Sequence, residues 1–156
     1  MMLSDEDVDV LRTSFRKVSG DPVRFAETFY DQLFLIAPEV QPLFHSDMGE
    51  QGQKMVSTLG VVVARLHETD ALRPILCDLA RRHVDYGVEA RHYDFVGEAL
   101  VFTLRVVLEA DERAVAVWQK AFTAIAAAMI AAAYPELAQA GAPAGPQPRI
   151  ARVAAG

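Results

Sequence analysis

A single cysteine, Cys77, leaves this chain with nothing from which to build an internal disulfide or a cysteine-rich metal site, and fits a reducing cytoplasm. Aromatic residues are also scarce, at 8% of 156 residues against 52% hydrophobic. The core must therefore come from Leu, Val, Ile, Ala and Met, a composition that favours packed helices. Asn-Gly and Asp-Gly pairs are missing, which removes the strongest short signals for β-hairpins. There is no excess of positive charge: 15 basic residues are dispersed among 21 acidic ones, for a net charge of -6. That balance argues against a phosphate-tracking surface, so no nucleic-acid partner is expected. The acid-rich start from Ser4 to Asp9 lacks the basic and apolar regions of a secretory signal. The longest low-charge stretch, Ala121 to Tyr134, is short for a membrane span. The expectation is a cytoplasmic, all-α protein with no transmembrane segment.

What is present is helical punctuation. Ser4 followed by Asp7 resembles a capping box and opens a helix to about Val18, with Val8, Leu11 and Phe15 at helical spacing and Gly20 as its end. Asp21 and Pro22 supply an N-cap and a first-turn proline for a helix through Leu35. Pro38 starts a short helical turn to about Phe44, and a longer helix runs from about Glu50 to His67. Pro74 reads as near the start of the next helix, which runs through Tyr86 to a cap at Gly87. Two longer helices follow, about His92 to Glu109 and Asp111 to Tyr134, and Pro135 stops the last. Residues 1–135 are expected to form one domain. Residues 136–156, rich in Ala, Gly and Pro, read as a flexible tail.

Along this framework the chain carries Phe29-Tyr30, then Pro38 to Phe44, then Gln51-Gly52-Gln53-Lys54-Met55, then Arg81-Arg82-His83-Val84-Asp85-Tyr86-Gly87-Val88, then His92-Tyr93, then Ala116-Val117-Trp118. Each piece alone is weak; a lone histidine on a helix is usually structural. Their order and spacing from about Leu3 to Tyr134 resemble the bacterial single-domain haemoglobins and the haem domain of flavohaemoglobins.

The resemblance implies a globin fold around haem b, with His83 as iron ligand through one ring nitrogen while the other donates to a carbonyl about one turn earlier. Phe44 matches the ring that packs flat on the porphyrin; Met55, Val88 and Tyr93 match further cofactor contacts, and Lys54 and Arg82 match positions able to pair with haem propionates. Tyr30 and Gln51 match the distal pair facing a bound gas. Two alternatives stay open at that site. Phe29 could point inward in place of Tyr30, and Gln53 is a second register for Gln51. Gln51 is preferred because Met55 then falls on its helical face, where the family carries an apolar side chain, and because the resemblance then places Gly52 where globins bring two helices close, facing Ala26. His45, His67 and His92 read as surface, loop or helix-end residues.

The implied function is reversible dioxygen binding at ferrous haem, for storage, transport and delivery, or scavenging, with carbon monoxide and nitric oxide as further ligands. An enzymatic alternative is nitric oxide dioxygenation with a separate reductase; gas sensing is a third. The family's stronger oxygen chemistry uses a carboxylate late in the last helix, where this chain has Ala132 and Ala133, and Phe122 replaces a frequent phenol. Glu136 is the nearest substitute. No residue is assigned a catalytic role.

Overall fold

A computed structural model describes residues 3–140. Helices account for its architecture: α1 Asp5–Gly20, α2 Pro22–Ile36, a 3-10 turn Pro38–Leu43, α3 Met48–Ala64, α4 Thr69–Asp85, α5 His92–Val107, α6 Glu112–Ala133 and α7 Pro135–Ala140. Among the described residues there is no strand.

Local chemistry sets the helix starts. Ser4 Oγ accepts from the Asp7 amide at 3.0 Å while Asp7 Oδ2 accepts from the Ser4 amide at 3.1 Å, which completes the expected capping box. Asp21 accepts from the Arg24 amide at 3.3 Å and Asp111 from the Ala114 amide at 2.8 Å. Asp47 does the same for Glu50 at 3.1 Å, so α3 opens at Met48, slightly before the sequence-based start.

Two boundaries differ from expectation. Helix α4 begins at Thr69, placing Pro74 in its second turn. The proline denies a partner to the Asp70 carbonyl, but both residues are exposed, so water can satisfy it. Helix α6 breaks at Tyr134, with φ -130 and ψ 70, and Pro135 then starts a new helix. Residues 136–140, expected in a flexible tail, are helical; 141–156 lie outside the described residues.

Packing brings α2 against α5, α4 against α6 and α3 against α2 and α1, whereas α3 and α4 make no comparable contact with each other. The close approach of α2 and α3 needs small residues: a Cβ added at Gly52 would lie 2.8 Å from the Ala26 Cβ. A buried polar relay joins α6 to α1, with Trp118 Nε1 donating to Ser14 Oγ at 2.7 Å and Ser14 Oγ donating to the Val10 carbonyl at 2.6 Å. Helix α6 is long and apolar enough by composition to cross a membrane. Its Val115, Val117, Trp118, Ala121, Ala126 and Met129 are instead buried in the helical core.

Candidate functional site

One wall of the candidate site is the C-terminal end of α4. Gly87 adopts φ 93, a left-handed conformation that a side chain would strain. There the Val88 amide donates to the His83 carbonyl and the Gly87 amide to the Val84 carbonyl, each at 2.9 Å. This Schellman-type closure satisfies the carbonyls left over at a helix end and fixes the chain leaving His83. Leu43 Cδ2 lies 3.1 Å from where a Gly87 Cβ would stand, and Tyr134 Oη donates to the Val88 carbonyl at 2.6 Å. The turn is therefore held from inside the helix, from the 3-10 turn and from the end of α6.

The half-buried His83 ring is oriented within this frame. Its Nδ1 is 2.7 Å from the Leu79 carbonyl, one turn earlier. A carbonyl only accepts, so Nδ1 carries the hydrogen and Nε2 keeps its lone pair. Burial lowers the His83 pKa, opposed by the Leu79 hydrogen bond and reinforced by Arg82, which keeps the imidazole neutral. Tyr93 stacks near the ring at 6.3 Å between centroids and 24°, and Tyr86 lies 6.2 Å away at 55°. Burial pushes the Tyr93 phenol up to about 12, with a further contribution from Tyr134.

The second wall comes from α2, α3 and the 3-10 turn. Phe29 and Tyr30 are both buried, with rings 5.0 Å apart and at 78°, so one does not displace the other. Tyr30 also meets Phe44 at 5.3 Å and 72°, and Phe34 at 5.9 Å and 29°. Burial pushes the Tyr30 phenol up to about 12 while the Gln51 side chain beside it pulls the other way. The phenol thus stays a proton donor at neutral pH. Gln51 is half-buried and interacts with Tyr30, whereas Gln53 is exposed. Met55 is half-buried one turn after Gln51, and the close contact of Gly52 with Ala26 is present.

Helices α3 and α4, one in each wall, make no extensive contact with one another. Phe44, Met55, Leu59, Leu79 and Val88 pack against the core yet remain only partly buried. Among the described residues no group of three or more His, Cys, Asp or Glu side chains gathers to hold a metal ion. A single neutral nitrogen beside apolar, incompletely covered side chains suits a flat prosthetic group that brings most of its own metal ligands. The residues present fit haem on that ground. A separate cleft of about 410 Å³ between α1 and the turn before α6 is lined by Asp9, Lys17, Glu109 and Arg113, and by none of these side chains.

The remaining assigned residues are peripheral. Lys54 and Arg82 are exposed, and Arg82 is paired with Asp78 at 2.6 Å, a partner it would have to exchange to meet a propionate. His45 and His67 are exposed. His92 starts α5 but is buried, its Nδ1 accepting from the Glu89 amide at 3.0 Å. Phe122 packs against Gly97, its ring 2.9 Å from where a Cβ would stand. Glu136 contributes to the raised pKa of Tyr134, after burial and Glu89. Sequence reasoning missed Tyr134 and Leu43 as supports of the His83 turn, since no local spacing announces contacts across 46 and 44 residues.

A family model described as Globin matches residues 27–129. The chain is 26% identical over 126 residues to a flavohemoprotein of Rhizobium meliloti, covering 78% of this chain and 31% of that protein. It is 25% identical over 129 residues to an uncharacterized globin-like protein of Aquifex aeolicus, covering 83% of this chain and 93% of that one. The chain thus spans about a third of the length of the flavohemoproteins it matches. A bacterial globin of Campylobacter jejuni shares its fold with a TM-score of 0.77 at 23% identity, covering 86% of this chain and 99% of the other. An engineered carbene transferase, described as a putative nitric oxide dioxygenase from Rhodothermus marinus, does so with a TM-score of 0.78 at 24% identity, covering 90% of this chain and all of that one.

Proposed function

Because this chain belongs to the globin family, we propose that it binds haem b between α3 and α4, with His83 as the iron ligand, and holds dioxygen reversibly. When bound, the haem supplies a ferrous iron that takes diatomic gases. The observation that carries the reading is the His83 ring itself: Nδ1 is committed to the Leu79 carbonyl at 2.7 Å, leaving Nε2 available on a neutral imidazole.

The other side chains have distinct tasks in this reading. Tyr30 and Gln51 donate hydrogen bonds to the gas ligand, favouring dioxygen, which accepts them better than carbon monoxide. Phe44, Met55, Val88 and Tyr93 contact the porphyrin and exclude water. Lys54 and Arg82 meet its propionates at the exposed edge. One donor bond to a partly charged ligand contributes about 1.5 to 3 kcal/mol, or roughly tenfold to a hundredfold or more in affinity.

Absorbance spectra of the purified protein, with and without dithionite and carbon monoxide, test the cofactor; lack of stoichiometric haem overturns the assignment. Tyr30→Phe and Gln51→Ala should each accelerate dioxygen release, Tyr30→Phe by about tenfold to a hundredfold. Unchanged rates in both would reject the distal assignment. A second reading, nitric oxide dioxygenation with a separate reductase, draws support from the likeness to a putative nitric oxide dioxygenase. Nitrate formed over many turnovers with a supplied reductase would favour it, and a single stoichiometric turnover would not.

A further inference from the structure

We infer that His92 is a pH-sensitive latch: neutral, it ties shut the turn that joins α4 to α5, and protonated, it lets that turn go. The latch belongs to the chain itself, whatever the site between α3 and α4 holds. Two bonds close it. The His92 amide donates to the Glu89 carbonyl at 3.0 Å, and the Glu89 amide donates to His92 Nδ1, also at 3.0 Å. An amide N–H only donates, so Nδ1 keeps its lone pair and the ring hydrogen sits on Nε2, the opposite tautomer to His83. Protonation adds a second N–H to the ring, facing the Glu89 N–H. Neither group can then accept, and the bond is lost rather than weakened.

The surroundings let this ring decide whether the turn stays closed. His92 is 5% exposed, so an imidazolium there gives up most of its water. The charges acting on it are Arg91 and Glu89 beside it and Glu39 on the 3-10 turn. Burial, reinforced by Arg91, lowers the His92 pKa against the pull of the two carboxylates. Arg91 also bridges Glu39 and Glu89, at 3.4 Å each, but all three side chains are about half exposed, and such pairs hold little. Among the described residues two side chains bond to the backbone of the turn, Tyr134 at the Val88 carbonyl and His92 at the Glu89 amide. Burial raises the Tyr134 pKa, so only His92 changes charge near neutral pH.

A lowered pKa means that the closed turn takes up its proton less readily than the open one. The bond is therefore fully present above the ordinary histidine value of 6.5 and fades as pH falls through it toward the lower, closed-turn value. Opening frees Val88, whose amide bonds the His83 carbonyl, and so loosens the α4 wall of the candidate site.

Hydrogen exchange of the full chain, read residue by residue by mass spectrometry and corrected for the intrinsic effect of pH, tests the latch. Between about pH 7.5 and about pH 5.5 the Glu89 amide should lose protection by about threefold to tenfold. The Ala114 amide, bonded to the Asp111 carboxylate at 2.8 Å, should not. In His92→Asn the side-chain oxygen can accept where Nδ1 did but does not titrate, so the loss should vanish; in His92→Ala protection of the Glu89 amide should be low at both values. Wild-type protection at Glu89 that ignores pH, or that falls only as far as that of Ala114, would overturn the latch, as would an equal acid loss in His92→Asn. The wild-type comparison decides the matter should a variant not fold.

Discussion

Replacing Gly87 by alanine should destabilise the molecule through the backbone rather than through lost contacts. At φ 93 the residue lies beyond the usual left-handed helical value, where an L side chain costs about 1–2 kcal/mol. The new Cβ would also stand 3.1 Å from Leu43 Cδ2, but Leu43 is only partly buried and can yield by a few tenths of an ångström. The strain therefore dominates, and a total near 2 kcal/mol lowers the melting temperature by roughly 4–8 °C for a domain of this size. The assay is thermal unfolding of the haem-free protein, followed by helical circular dichroism. Gly87→Asn places the same Cβ against Leu43 but tolerates positive φ better, so it should recover part of the loss. A melting temperature for Gly87→Ala within about a degree of the wild type would refute the reasoning, as would an equal loss in Gly87→Asn.

Two further perturbations test other parts of the structure. Ser14→Ala should cost about 1–3 kcal/mol by stranding the buried Trp118 Nε1 hydrogen, and Trp118→Phe added to it should cost less than Trp118→Phe does alone; strict additivity of the urea-unfolding energies would contradict this. The pKa of Asp7 is held below 3.8, first by its Lys120 hydrogen bond and then by the Ser4 amide, so its stabilising effect should be present above that pH and fade as pH falls through the folded value. The difference in urea midpoint between wild type and Asp7→Asn should accordingly shrink under acid conditions, and a pH-independent difference would count against the assignment.

The helix framework was legible where its chemistry is local. Ser4 with Asp7, Asp21 with Pro22, and Asp111 each mark a helix start within three residues, and the structure uses all of them. Pro74 misled because proline usually signals a first turn, whereas here its carbonyl partner is exposed and the helix runs past it. Spacing alone left Gln51 and Gln53 unresolved. Their different burial depends on how closely α3 approaches α2, which Gly52 and Ala26 determine together. The supports of His83 were harder still: Tyr134 and Leu43 reach it across folded distance, and no periodicity encodes which side chain will end beside a given carbonyl.

The Tyr134 bond also has a consequence for how the chain is made. Helix α4 buries Leu72, Leu76 and Ala80 while packing mainly on α6, and the turn after His83 is pinned by the residue that ends α6. A ribosome delivers α4 about fifty residues before that pin. Until α6 has emerged, α4 lacks its principal cover and the His83 turn lacks its outer anchor, so this wall should take its final form only late in synthesis. A nascent chain arrested before α6 should consequently remain open to protease in α4 even when α1 to α3 are already protected.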